Sequence, residues 1–278
     1  MIWKLSGLGD EITEMFPAQL DVLNELGIPN VEIRRFRLAG GEQKVINEAT
    51  DDDLDRLDQA LAGAGLTCAG VASPVGKYPI EEPFAPDFER FRGSVRAAHR
   101  LNSPYLRVFS SYVPAGDLSA AIRDEVMRRL REIAALAASE APDTTVVVEN
   151  ESELYGEGVA HCVDIFETVD APNLKMVFDA SNFVVAGVDP FAEAWPALKE
   201  HIAYFHIKDA LGPGQIVPAG EGRARWPQLL RAARDEGIGT HLTLEPHLKL
   251  AGKSFGDTGP ELYAVAKHAL DRLLAALD

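Results

Sequence analysis

Eight short apolar runs alternate with eight longer amphipathic segments along the whole chain, and this alternation limits the fold more than any other feature. The strand-like runs fall at residues 3–8, 30–36, 66–72, 105–110, 144–150, 174–180, 202–208 and 241–246. The helical patterns between and after them fall at 17–27, 51–65, 84–101, 118–140, 158–169, 190–199, 226–236 and 260–277. Several boundaries carry local signals: Gly27 and Gly65 stand where a left-handed residue closes a helix, and Pro17, Pro190 and Pro260 suit a first helical turn. Strict strand–helix alternation demands a parallel sheet covered by helices, and eight such units in 278 residues is the count of a single-domain (β/α)8 barrel of the α/β class. No linker or low-complexity stretch divides the chain, so residues 1–278 read as one domain. A doubly wound open sheet is the alternative, weakened because neither GxGxxG nor GxxxxGK[ST] follows the first strand.

The later strands have two different faces. Val146 and Val148 alternate with Thr145, Val147 and Glu149; Met176 and Phe178 alternate with Lys175, Val177 and Asp179. Phe205 and Ile207 alternate with Tyr204, His206 and Lys208; Leu242 and Leu244 alternate with Thr243, Glu245 and His247. Side chains on a strand point to opposite faces in turn, so the apolar set can meet the helices while the polar set enters the barrel. The carboxyl ends of barrel strands are where such folds build active sites.

Four residues with metal-binding side chains end four successive strands: Glu149, Asp179, His206 and Glu245, separated by 30, 27 and 39 residues. One unit occupies about 31 residues if eight fill ~250, so the four fall at one height around one side of the mouth. A single terminal carboxylate usually caps a helix or faces solvent, and a single His usually satisfies a hydrogen bond. Three carboxylates converging without a cation would repel one another, and a divalent metal resolves the conflict. Hard oxygen donors favour Mn²⁺ or Mg²⁺, with Co²⁺, Fe²⁺ or Zn²⁺ also able to use the set. An octahedral ion would keep two positions for adjacent oxygens of a hydroxy-ketone or hydroxy-aldehyde, and Glu149 and Glu245 could then flank the substrate as base and acid.

The formal charge of −16 argues against a nucleic-acid binder or a polybasic membrane-surface protein. The first residues contain no apolar run with basic flanks and no stretch approaches the ~20 apolar residues that span a bilayer, so the expected location is the cytoplasm. Cys68 and Cys162 have no CxxC spacing and read as buried reduced thiols. The expected partner is a small sugar-like molecule, with no nucleic acid and no membrane; a homo-oligomer is left open.

From Glu149 to His247, the strings VVVENESELYGEG, MVFDASNFVVAGVDPFAEAW, YFHIKDALGPGQIVPAGEG and LTLEPHL resemble the sugar phosphate isomerase/epimerase family of xylose isomerase-like TIM barrels. That group includes ketose 3-epimerases, hydroxypyruvate isomerases, inosose dehydratases and the endonuclease IV class. The resemblance implies that Glu149, Asp179, His206 and Glu245 bind the metal. It also implies that the two glutamates exchange protons with a substrate carbon through a metal-bound enediolate, giving epimerisation or aldose–ketose isomerisation. An inosose-type dehydratase would use the same enolate, and a non-catalytic sugar-binding barrel would retain only the fold. There are two departures. Asn182 stands where many relatives place a His, and no Arg follows shortly after His206, which weakens ketohexose epimerisation as such. The endonuclease class gathers three zinc ions on several His residues, whereas only His206 of the seven His holds a ligand position here.

Further residues read as substrate contacts. Lys208 should share the inward face of His206, and Arg107 lies inward between Leu106 and Val108, each with a salt bridge to a lining carboxylate as the plain alternative. Asn182 can hydrogen-bond a hydroxyl, and His247 can orient Glu245. Glu32 could line the second strand or pair with Arg34 beside it. The loop GPGQIVPAGEG has glycines that let backbone N–H groups converge on an anion, although Glu221 in it would repel phosphate and could meet hydroxyls instead. Residues 73–83, with Lys77, are long enough for a lid but read more plainly as a surface loop.

Overall fold

The computed structural model describes residues 3–114, 119–248 and 258–277. In chain order it contains β1 (Lys4–Leu8), α1 (Phe16–Glu25), β2 (Asn30–Ile33), β3 (Arg35–Arg37), β4 (Gln43–Val45), α2 (Asp51–Ala64), β5 (Thr67–Ala72) and α3 (Ala85–Arg100). Then come β6 (Tyr105–Val108), α4 (Ala120–Glu140), β7 (Thr145–Glu149), α5 (Val159–Val169), β8 (Leu174–Asp179), α6 (Ala180–Val185) and α7 (Trp195–Leu198). The chain ends with β9 (Ile202–Ile207), β10 (Asp209–Gly212), β11 (Gln215–Val217), α8 (Trp226–Glu236), β12 (His241–Leu244) and α9 (Pro260–Ala275). Eight parallel strands close a barrel in the order β1, β12, β9, β8, β7, β6, β5, β2, as the alternation requires. The two extra pairs, β3–β4 and β10–β11, are short antiparallel ribbons outside it.

Helix ends follow local chemistry. Thr50 caps α2 through a reciprocal box with Asp53, and Gly65 closes it at φ +70°. Pro260 opens α9. Leu118, expected to begin α4, lies outside the described residues.

Two expected elements are divided. The run 30–36 leaves the barrel after Ile33, where Arg34 and Arg35 both turn to Asp10. The helix expected over 190–199 becomes a wide π turn, Pro190–Ala194, followed by the four-residue α7. Pro196 is the reason: it has no N–H, and its ring would clash with the carbonyl four residues back.

The two faces of the strands separate as predicted. Val146, Val148, Met176, Phe178, Phe205, Ile207, Leu242 and Leu244 join the core between barrel and helices, whereas Val147, Val177 and Tyr204 pack against each other inside the barrel. Fully buried Phe178, Phe205 and Trp226 contact edge to face at centroid distances of 5.9 and 6.2 Å; burial of each contributes about 2–3 kcal/mol. Trp226 also donates its indole N–H to the carbonyl of Lys208 at 2.8 Å, so this packing fixes the strand end that carries Lys208. Cys68 and Cys162 are free and buried, and burial pushes both thiols up to about 12. No helix among the described residues is long and apolar enough to cross a membrane.

Candidate metal centre

Glu149 is the last residue of β7, Asp179 the last of β8, His206 the fifth of β9, and Glu245 the first residue after β12. Asp179 and His206 are direct register partners, and the Glu245 N–H continues the ladder to the Ile207 carbonyl at 3.1 Å. One ligand atom from each of the four residues lies within 4.8 Å of the others, and all four side chains are buried. Asp179 divides its two oxygens. Oδ1 caps α6 by accepting the Asn182 N–H at 2.9 Å, while Oδ2 lies 2.8 Å from Lys208 Nζ without hydrogen-bond geometry. One oxygen of this carboxylate therefore caps a helix while the other stays available to a cation.

The side chain of Asn150 accepts the Asp179 N–H and donates to the Asp179 carbonyl, both at 2.9 Å, holding the end of β8 beside that of β7. Asn182 donates its side-chain amide to the Asn150 carbonyl at 2.8 Å, so most of its donor capacity is used within the fold.

The charges around the cluster are strongly coupled. Burial alone would raise Glu149, but His206 and Arg107 outweigh both burial and the repulsion from Glu245 and bring it to about 2. Burial and the neighbouring Glu149 and Glu245 carboxylates push Asp179 up to about 6 despite Lys208. Glu245 overcomes burial through Lys208, His206 and His247 and lies well below the carboxylate range. His206 Nδ1 sits 3.1 Å from Glu149 and 3.0 Å from Glu245. A divalent cation fits this set: three carboxylates and one imidazole offer converging donors, and the buried Oδ2 of Asp179 has no hydrogen bond of its own.

Above the cluster opens a cleft of about 770 Å³. Arg107, Lys208, Asn182 and His247 line it together with Glu149 and Glu245. Arg107 donates to Glu149 at 2.7 Å and lies 4.5 Å over the Phe109 ring. Lys208 stands between Asp179 and Glu245. His247 bridges Glu11 and Glu245 at 2.8 and 3.4 Å from a left-handed backbone (φ +46°), an unfavourable conformation for a residue with a Cβ. The salt bridges weighed as plain alternatives for Arg107 and Lys208 are thus present, buried beside the candidate ligands in the cleft.

Glu221 is not brought to the cleft: its side chain is 54% exposed and lies 3.4 Å from Arg272. The glycine-rich loop does gather N–H groups around an anion, but that anion is internal. Asp209 Oδ1 accepts from Ala210 and Ala224 at 2.8 and 2.9 Å, and Oδ2 accepts from Gly220 and Gly222 at 2.9 and 3.1 Å. A Cβ on Gly222 would lie 2.2 Å from Asp209 Oδ1, so the close approach requires glycine.

Residues 73–83 are tied along their length: Gly76 donates to Asp87 at 2.9 Å, and buried Arg129 donates to the carbonyls of Ile80 and Glu82 at 2.6 and 2.8 Å. They form a wall that brings Lys77 into the cleft, 2.8 Å from Glu151.

Sequence reasoning missed one side of the mouth. Arg34 does not pair with Glu32. It binds Asp10 and Glu11 at 2.9 and 3.1 Å and reaches Glu245 at 3.4 Å. Asp10 and Glu11 directly follow β1, so a strand-end carboxylate was the available signal, but only the fold shows that an arginine from another unit meets them.

A family model described as xylose isomerase-like TIM barrel matches residues 20–271, and the chain belongs to that family. A search of curated proteins returned no match. Among solved structures, the chain is similar to a probable 3-DHS dehydratase, AsbF, involved in petrobactin synthesis in Bacillus anthracis (18% identity, TM-score 0.73, 98% of this chain and 99% of that one). It is also similar to D-psicose 3-epimerase from Clostridium cellulolyticum H10, solved with D-tagatose (16%, 0.73, 99% and 99%). A third is a xylose isomerase-like TIM barrel protein from Mycobacterium smegmatis in complex with magnesium (15%, 0.72, 99% and 98%). At these identities the likeness is one of fold.

Proposed function

We propose that this chain is a divalent-metal-dependent isomerase or epimerase of a small sugar or sugar-derived hydroxy-carbonyl compound. The observation that carries this reading is the buried convergence of Glu149, Asp179, His206 and Glu245 at the base of one cleft, two of them glutamates from opposite ends of the arc. The four would hold the ion, with Mn²⁺ best suited to a set of three carboxylates and one imidazole. When bound, the ion supplies Lewis acidity that makes a C–H next to a carbonyl easier to ionise.

The chain's own groups do the proton work. One glutamate, as carboxylate, removes the C–H proton; in epimerisation the other, protonated, delivers a proton to the opposite face, and in isomerisation the proton returns to the neighbouring carbon. Arg107 beside Glu149, and Arg34, Lys208 and His247 beside Glu245, keep the glutamate that acts as base ionised, and Lys208 and His247 are placed to pass Glu245 a proton when it acts as acid. Lys208 and His247 would also place cationic groups near a substrate oxygen bound in the cleft. Dehydration is the second reading, supported by the Lys208 ammonium 3.4 Å from Glu245, a proton donor beside a base as elimination requires.

The test is solvent exchange in D₂O with Mn²⁺-loaded protein and a panel of hydroxy-ketones, hydroxy-aldehydes and sugar acids. Wild type is expected to incorporate deuterium at carbon, and Glu245→Gln to slow this by about 10²–10⁴-fold. Unchanged exchange in the variant removes Glu245 from the chemistry. A product lighter by one water assigns the dehydratase. No exchange together with no metal-induced rise in Tm would leave a non-catalytic barrel.

A further inference from the structure

Beneath the metal cluster, the barrel interior holds a line of buried polar side chains that do not line the cleft. His206 Nε2 lies 3.3 Å from both carboxylate oxygens of Glu32 on β2. Tyr204 donates its hydroxyl to Glu32 at 3.1 Å, and the neighbouring Thr243 hydroxyl helps to hold Glu32 in its ionised form. Thr243 continues to Ser6 at 2.6 Å, and Ser6 to His241 at 3.0 Å. These groups come from β1, β2, β9 and β12, and all are buried, Glu32 to 1% exposure.

A barrel axis is ordinarily filled by branched apolar side chains, and a carboxylate placed there is costly unless its partners compensate. The structure makes room for this one. A Cβ at Gly70 on β5 would lie 3.0 Å from Glu32 Cγ and 3.1 Å from Cδ, tighter than an ordinary contact, so the glycine leaves the side chain its room.

The geometry divides the two nitrogens of His206. Nδ1 faces Glu149 and Glu245 in the ligand set, while Nε2 faces Glu32 alone. A neutral imidazole offers a lone pair at one nitrogen only when the other carries the proton. We propose that Glu32 is the positioning residue of the metal centre: by accepting the Nε2 proton it fixes the ring and the tautomer, so that the Nδ1 lone pair is aimed at the ion. Tyr204 and Thr243 hold Glu32 in turn. Glu32 touches no substrate and takes no part in proton transfer. The inference rests on the metal reading above.

The experiment measures Co²⁺ affinity by calorimetry and the visible absorption of the Co²⁺-loaded protein for wild type, Glu32→Gln and Thr243→Val, alongside the Tm of each metal-free protein. Gln keeps the length of the side chain and removes the charge. Its Kd is expected to rise about 10–100-fold, with a changed Co²⁺ spectrum; Thr243→Val should give a smaller shift in the same direction. A folded Glu32→Gln protein with wild-type Kd and spectrum overturns the inference, whatever its Tm, because a merely structural glutamate would alter stability alone. If Glu32→Gln does not fold, Thr243→Val decides by the same two readouts, wild-type values again overturning it. A wild type that takes up no Co²⁺ overturns the metal reading and this inference together, whereas normal wild-type uptake with an unaffected variant overturns this inference alone.

Discussion

The two halves of the barrel mouth carry opposite chemistry. β7, β8, β9 and the end of β12 supply Glu149, Asp179, His206 and Glu245, one donor per strand at one height. On the other side, Arg34 from beyond β2 and Arg107 from β6 reach two of those donors, Glu245 and Glu149, while Asp10 and Glu11 after β1 hold Arg34 and Lys77 pairs with Glu151. The ligand half is regular because position along a strand alone sets where each side chain points. The partner half is irregular because long side chains reach across units, as Arg34 does from beyond β2 to Glu245. Regular placement produces crowded carboxylates, and arginines from the irregular half join Lys208 and His247 in neutralising them.

Arg107→Met breaks this division most severely. It leaves Glu149 buried without its guanidinium, and losing one member of a buried pair costs about 3–5 kcal/mol. Denaturant unfolding should show that loss in metal-free protein, and saturating Mn²⁺ should restore more stability to Arg107→Met than it adds to wild type. Equal metal increments would show that Arg107 is not there to neutralise Glu149.

Asp209→Ala tests the ligand half alone. Four backbone N–H groups lose their acceptor, at an expected cost of about 2–3 kcal/mol by the same unfolding measurement. A loss under about half a kcal/mol would mean that water replaces the carboxylate.

Asp164→Asn gives the smallest effect and examines the seam. Arg123 on α4, which follows β6, pairs with Asp164 on α5, which follows β7. The hydrogen bond from Arg123, with those from Tyr155 and Thr168, outweighs burial and brings Asp164 to about 2, against 3.8 ordinarily. A carboxylate lowered on folding adds stability above the ordinary value and loses it as pH falls toward 2. The Tm difference between wild type and Asp164→Asn should therefore be present at pH 5 and shrink progressively between pH 4 and 2. Mn²⁺ affinity should stay unchanged, and a change would show that the seam couples the two halves.

Much of this was legible in the chain itself. Period-two alternation placed Glu149, Asp179, His206 and Glu245 inward, and unit spacing brought them to one level. Lys208 and Arg107 were legible as inward side chains, though their partners were not. Glu221 failed because the glycine-rich loop found an internal anion in Asp209, which sequence spacing does not reveal. Glu32 was ambiguous for the same reason: Arg34 is its neighbour in sequence, but the strand ends between them and Arg34 turns to Asp10.

The sequence by itself determined the eight β/α units, the inward face of each late strand and the composition of the buried carboxylate and histidine cluster, because these depend on periodicity along one strand at a time. Only the tertiary structure decided which charge neutralises which, that His206 rests on Glu32, and that the loop wall at residues 73–83 is pinned by Asp87 and Arg129. Those contacts join residues from different units across the closed ring. Pairing at that range is set by how the barrel closes and how far each side chain reaches, and neither is written in local pattern.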